Sequence, residues 1–320
     1  MATHISPAWQ RLRHRGRALA VLTSLTVAAI ALTACSATNA TPTAAGAHAA
    51  PAAAAHASPP PGVVVTADVP YAGTADREQQ LDVCAPTATG RPRPAVLLIH
   101  GGGWHSGDKS TVEDTCEWLA QSGFVTFNID YRLVPAARYP AQPQDVRAAL
   151  RFMRRPATVG HYEIDPTRIG VFGGSAGGNL AALLALRGNG PLTRGDRVAA
   201  LVDLSGPMDL TAGELTAHQD ARLTADETGF LSCPSLARCP SAPLASPLNA
   251  VSADDPATFI GQASVDFVPR EQGDALAAAL TRVGVPVTVE TTPGTHHSFG
   301  VLTPKMRTDI AAFLHEHLGS

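Results

Sequence analysis

One hydroxyl in this chain sits among four glycines. In "VFGGSAGGNL" (171–180), Ser175 lies between a strand-like run and a helix-like run. Gly173, Ser175 and Gly177 fit G-x-S-x-G, a pattern that gains meaning only from a strand before it and a helix after it. A sharp turn there stands the hydroxyl above a sheet, beside a helix N-terminus. Glycines two positions to either side remove the Cβ atoms that would clash. A phosphate cradle would need G-x-x-x-x-G-K-[ST] or G-x-G-x-x-G, and neither fits. The plain alternative is a glycine-rich turn with no chemistry. Ser175 becomes a nucleophile only with a base and with donors for an oxyanion.

Those partners are present elsewhere in the chain. "HGGGW" (100–104) directly follows the apolar run "AVLLI", and three consecutive glycines let backbone N–H groups converge on a point, with the N–H of Ala176 as a further donor. The base is expected in "TTPGTHHSFG" (291–300), where His297 is favoured over His296, which is read as a loop-packing or supporting residue. His100, at a strand end, is read as shaping its loop. His315 and His317 are read as solvated, and adjacent histidines without a nearby carboxylate argue against a metal. The acid should follow the serine and precede the histidine. Asp266 in "GQASVDFVPREQ" (261–272) stands there, with Asp203 and Asp209 as fallbacks. Asp254 and Asp255 precede the strand and would face its wrong end. An acid in that place would hold the imidazole tautomer and stabilise the imidazolium.

These residues need a frame that brings strand ends together. From Val63 onward, strand-like and helix-like segments alternate. "AVLLIH" (95–100), "FVTFNIDYR" (124–132), "RIGVFGG" (168–174), "RVAALVDLSG" (197–206), "ATFIGQAS" (257–264) and "VPVTVET" (285–291) read as strands. Helix-like runs such as 111–123, 142–155 (amphipathic), 176–188, 270–284 and 305–318 fall between and after them. Such alternation predicts an α/β fold, a mostly parallel sheet with helices on both faces. Residues 207–250 break the rhythm, and a connection that long predicts an insertion capping a pocket at the C-terminal edge of the sheet. Selectivity is expected there, with Trp104 and Tyr131 near the pocket.

The expected domains are a signal peptide over 1–34, a tether over 35–62 and a folded domain over 63–320. "RLRHRGR" (11–17) is a basic leader followed by the apolar run 18–34. Cys35 in "LTAC" resembles a bacterial lipobox, in which cleavage before the cysteine leaves its thiol to carry a lipid. A plain secretory signal and an uncleaved anchor are the alternatives. The expected location is outside the cytoplasm, on the membrane only through that lipid. Cys35→Ser should therefore release the protein from the membrane fraction; unchanged association would sink the lipid reading. The Ala/Pro-rich segment after Cys35 has too few large apolar residues to offset its ordering entropy. Cleavage there removes four arginines and no acid, leaving 20 basic residues against 27 acidic ones, which argues against a nucleic-acid partner. Of the remaining cysteines, Cys233 and Cys239 bracket a short loop and are the expected pair, leaving Cys84 for Cys116.

At these residues the chain resembles the α/β-hydrolase esterases, and in particular the hormone-sensitive-lipase-like and the bacterial feruloyl/acetyl-xylan-esterase-like groups. The resemblance runs from about Val69 to the end. It rests on "QQLDV", "HGGGW" followed by "GDK", "DYRL", "YPAQPQDVRAAL", "IDPTRIGVFGGSAGGNLAA", "ASPL" and "GTHHSFG". It implies an α/β-hydrolase fold and carboxylic-ester hydrolysis through an acyl-enzyme, without metal or cofactor. It places the nucleophile at Ser175, the base at His297 and the oxyanion donors at Gly102, Gly103 and Ala176. The implied partner is a small-molecule or polymer-linked ester, with short-chain, acetyl or feruloyl groups. Two departures stand out. Gly174 occupies the position where the lipase-like group has an acid. In "IGQASVDFVP", Ile260 replaces the usual histidine, and Asp266 lies two residues before Val268 rather than three. An amide hydrolase with the same triad and a non-catalytic surface-binding lipoprotein are the rival readings.

Overall fold

The computed structural model describes residues 60–88 and 90–319. The expected signal peptide, Cys35 and nearly all of the expected tether lie outside the described residues. In chain order the elements are β1 (Val63–Pro70), β2 (Gln80–Pro86), β3 (Arg93–Ile99), α1 (Glu113–Gln121), β4 (Val125–Ile129), α2 (Ala141–Met153), α3 (Pro156–Tyr162) and β5 (Ile164–Gly174). They continue with α4 (Ala176–Ala185), β6 (Ala200–Leu204), α5 (Ala221–Leu231), α6 (Ala242–Ala245), β7 (Ala257–Ala263), α7 (Glu271–Arg282), β8 (Val287–Thr292) and α8 (Pro304–Leu318). The strands form one sheet in the order β1-β2-β4-β3-β5-β6-β7-β8. β2 pairs antiparallel with β1 and β4, and the remaining pairs are parallel. This is the α/β-hydrolase fold.

The continuous apolar strands follow from burial on both faces. Along β3, Leu97 and Ile99 pack with Phe127, Val171 and Leu180 under α2 and α4. The alternate residues Val96 and Leu98 pack with Phe172, Val202 and Phe259 under α1 and α8. Cys84 of β2 is bonded to Cys116 of α1, and Cys233 to Cys239 just after α5. Several elements were not foreseen, among them β1, α6 and the two that follow. α3 is a seven-residue helix opened by Pro156 at its first turn, where the missing N–H costs nothing, and closed by Glu163 at φ 52°. The insertion carries α5, whose N-terminus is capped by the Asp220 side chain accepting from Arg222 N–H.

Register places the functional loops. Ile99 pairs with Gly173, Gly173 with Asp203, and Asp203 with Ile260. The C-terminal ends of β3, β5, β6 and β7 therefore lie at one level, where ligands bind in open parallel sheets. β8 joins through Ala263 and Thr292. The loops after β7 and β8 are then tied together: Ser264 N–H donates to Thr292 O (2.9 Å), Val265 N–H to Gly294 O (3.0 Å) and Gly294 N–H to Ser264 Oγ (3.0 Å). No helix among the described residues is long and apolar enough to cross a membrane.

Candidate active site

Ser175 is the hinge between β5 and α4. Its φ of 56° and ψ of −124° lie where an L-residue is strained, at a cost of order 1–3 kcal/mol. The surrounding chain enforces the turn: Ser175 N–H donates to Leu204 O of β6 (2.8 Å), and Asn179 N–H returns to Ser175 O (3.0 Å). The turn is so tight that a Cβ on Gly177 would lie 2.3 Å from Ile99 O and 2.4 Å from His100 O. Only glycine lets the first turn of α4 approach the end of β3. Gly174 has a different reason. A Cβ there would lie 2.3 Å from Ser298 Oγ and 2.7 Å from the ring of Phe299. In this chain the loop after β8 fills the room that an acidic side chain would need.

The structure brings Ser175, His297 and Asp266 into one relay. His297 Nε2 lies 2.8 Å from Ser175 Oγ, and His297 Nδ1 lies 2.8 Å from Asp266 Oδ2. A carboxylate only accepts, so Nδ1 carries the ring proton and donates. Nε2 is thereby left to accept from the Ser175 hydroxyl. The Asp266 side chain is 3% exposed and that of His297 24%, so the carboxylate is shielded from bulk solvent while the imidazole meets the pocket. Phe267 packs its ring 4.2 Å from that of His297. The fallback acids lie elsewhere. Asp203 is fully buried and accepts from Gly206 N–H (3.1 Å), and Asp209 accepts from Thr211 N–H (2.9 Å). Asp255 pairs with Arg197 and accepts from Ser252 N–H (2.6 Å).

Gly102, Gly103 and Ala176 line the same pocket as Ser175 and His297, and their N–H groups have no hydrogen-bond partner among the described residues. Gly102 and Gly103 take φ of +111° and +60°. The loop is held from behind. His100 Nδ1–H donates to Gly101 O (2.7 Å), and its ring stacks 4.3 Å from Tyr131. Burial pushes His100 down to about 4, so it stays neutral and structural. Lys109 reaches Asp68 (2.8 Å) and Asp82 (2.9 Å), its N–H donates to Asp130, and its carbonyl accepts from Asn128.

The pocket is small, about 140 Å³. Its floor is Ser175 and the loop of Gly102 and Gly103. Its wall includes Trp104, Phe267 and Pro207, and its cap is Arg222, Leu223 and Asp226 of α5. The insertion thus lies over the site, tied to α4 by Asn179 Nδ2, which donates to Pro207 O (2.9 Å) and Ala245 O (3.1 Å). Asp226 meets His105, which follows Gly102 and Gly103, at 3.0 Å. Arg222 lies over the Phe267 ring at 5.0 Å. Sequence reasoning did not single out Phe267, Arg222, Leu223 or Asp226. The available signal was the i, i+4 spacing of Arg222 and Asp226, which sets both on one helix face.

The remaining expectations become specific. Tyr131 stands near the pocket without lining it, buried behind the loop of Gly102 and Gly103 and donating to His100 O (3.2 Å). His315 and His317 are not simply solvated, because His315 stacks on Phe124 and reaches Ser122 O (2.9 Å), and His317 packs on Phe313. Of the two roles expected of His296, packing within its loop fits: it is exposed and its ring lies over Gly294, where a Cβ would meet it at 3.6 Å. Among the described residues, no group of three or more His, Cys, Asp or Glu is gathered as a metal site requires.

Comparison with known proteins gives concordant similarities. The sequence model of the BD-FAE family matches residues 81–280. Esterase LipQ of Mycobacterium tuberculosis (strain ATCC 25618 / H37Rv) is 29% identical over 269 residues, spanning 79% of this chain but 62% of LipQ. The chain therefore matches less than two thirds of that relative's length. Among solved structures, a truncated carbohydrate esterase from gut microbiota superposes with a TM-score of 0.66 at 26% identity, over 82% of this chain and 99% of that one. An acetyl ester-xyloside bifunctional hydrolase from Caldicellulosiruptor lactoaceticus gives a TM-score of 0.62 at 26% identity, over 75% of this chain and 89% of that one.

Proposed function

The chain belongs to the BD-FAE family, and from that premise we propose that it is a serine carboxylic-ester hydrolase working through an acyl-enzyme. The observation that carries the reading is the relay from Ser175 Oγ through His297 to Asp266, with both hydrogen bonds at 2.8 Å, beside unpartnered N–H groups in one pocket. Ser175 Oγ attacks the acyl carbonyl while His297 Nε2 takes its proton. The carbonyl oxygen becomes an oxyanion and draws on the N–H groups of Gly102, Gly103 and Ala176, each such donor being worth about 2.7–4 kcal/mol. Asp266 keeps the imidazolium oriented and balances its charge. The imidazolium returns its proton to the departing alcohol oxygen as the C–O bond breaks. Water then enters and attacks the acyl carbon as His297 takes its proton, and the imidazolium returns that proton to Ser175 Oγ as the acyl–oxygen bond breaks and the acid leaves.

The small, capped pocket supports short acyl groups such as acetyl. The carbohydrate and acetyl-ester hydrolases among its structural neighbours support the same class. A p-nitrophenyl ester series from acetyl to dodecanoyl, run beside acetyl-xylan and feruloyl esters, tests this. Expected is a kcat/KM highest at acetyl or butyryl and at least about 5-fold lower by octanoyl, since an acyl chain too large for a rigid site must repack it at about 1–3 kcal/mol. Equal turnover of the dodecanoyl ester would overturn the short-acyl reading. Turnover of amides but of no ester would overturn the ester reading.

A further inference from the structure

Beside the relay, the ends of β6 and β7 enclose a second, much smaller space. It measures about 10 Å³, and its lining takes in Asp203, Ser205, Gln262, Asp266 and Gly273 but not His297. That is about the room one water needs. Three buried side-chain oxygens of this lining have no hydrogen-bond partner among the described residues: Asp203 Oδ2, Ser205 Oγ and Gln262 Oε1. Asp266 is also under-served. Its buried carboxylate accepts only from His297 Nδ1 (2.8 Å) and Val268 N–H (3.3 Å), where a carboxylate offers about four acceptor sites.

The backbone makes room for these groups. A Cβ on Gly178 or Gly206 would lie 2.2 or 2.4 Å from Asp203 Oδ1, and one on Gly273 would lie 2.4 Å from Gln262 Oε1. Ser205 takes φ of 54°, where glycine would sit without strain, so the residue present adds a hydroxyl at a conformational cost.

Resting on the serine-hydrolase reading, we propose that this cavity is a site for one water, which accepts from a neutral Asp203 and from Ser205 and donates to Gln262 Oε1 and Asp266. Asp203 is then a positioning residue that acts on the relay through Asp266. Proton counting supports the assignment. A water has two protons to give and two lone pairs to fill. With Asp203 protonated, two donors and two acceptors surround it. With Asp203 ionised, three acceptors would compete for two protons. Burial acts in the same sense and pushes the Asp203 carboxyl up to about 8, opposed only by the Gly206 N–H.

The test uses the full chain at neutral pH. Infrared difference spectra of wild type against Asp203→Asn should show the loss of a neutral carboxylic-acid C=O stretch. Asp203→Leu should lower kcat about 10-fold at unchanged KM, the worth of a hydrogen bond to a charged group. Asp203→Asn, whose amide also donates, should recover most of that loss. Should Asp203→Leu fail to fold, Ser205→Gly removes a donor without backbone strain and should lower kcat in a folded protein. The inference is overturned by the absence of the neutral-acid band, by Asp203→Asn as damaging as Asp203→Leu, by wild-type kcat in Ser205→Gly, or by a dependence of kcat on sodium, which would mean a cation held by an ionised Asp203. Turnover that persists in Ser175→Ala would sink the serine reading instead, and the infrared result would still report on Asp203.

Discussion

Ser175→Ala should lower kcat for p-nitrophenyl acetate by about 10⁵- to 10⁶-fold and abolish labelling by a fluorophosphonate, with the fold intact. The size of the effect follows from the geometry. The serine Oγ is the only atom of the relay that forms a bond to the substrate, so without it the imidazole and the N–H groups act on nothing covalent. A remnant of about 10³-fold over water would remain, because the pocket and the oxyanion donors still bind and polarise the carbonyl. The fold should survive. Ser175 is held by its backbone, through Leu204 O and Asn179 N–H, and alanine keeps both bonds. Ser175→Gly provides the control: it should be equally inactive and about 1 kcal/mol more stable in denaturant, because glycine adopts the φ of 56° without strain. Turnover within 100-fold of wild type in either variant would remove Ser175 from the reaction.

How far the sequence reveals the molecule depends on how local each signal is. The strand–Ser175–helix junction and the loop at Gly102 and Gly103 are written in contiguous residues, because each is a single turn whose glycines answer a local steric demand. The sheet is legible because a strand buried on both faces is apolar without interruption, as at 95–99. The cap is another matter. α5 is amphipathic only weakly, since its buried face is shared among Leu223, Glu227, Phe230 and Leu231, and a buried glutamate does not read as core. That Arg222 and Asp226 overhang Ser175 depends on where the insertion docks, through Asn179 and the Trp104–Phe230 stack. The part Tyr131 plays near the pocket is hidden for a related reason. It follows β4 at the level of the pocket, but its ring turns in to stack on His100. The space among Asp203, Ser205 and Gln262 is invisible in sequence because the register of β6 against β7 creates it.

Asp266→Asn should cost about 10⁴-fold in kcat with KM little changed, and the loss should exceed that of any change at Asp203 or Asp209. The amide keeps the shape of the carboxylate and removes two things. It removes the charge that offsets the imidazolium, and it can present N–H rather than oxygen to Nδ1. In that orientation the ring proton shifts to Nε2, which then cannot accept from Ser175. The expectation is sharp because the sequence alone makes Asp266 doubtful: it stands one residue nearer Val268 than the pattern it resembles. The structure shows how the shorter spacing still reaches the histidine. Ser264 and Val265 are bonded to Thr292 and Gly294, so the chain leaves β7 already fastened to the loop that carries His297. From that anchor the next residue, Asp266, turns inward, its Oδ1 accepting from Val268 N–H as its Oδ2 meets Nδ1. Phe267 closes over the imidazole from the next position. The position of the acid is thus set by pairing between the two loops rather than by its count from Val268. A loss of less than about 10-fold in Asp266→Asn, with Ser175 still required, would show that another group orients His297.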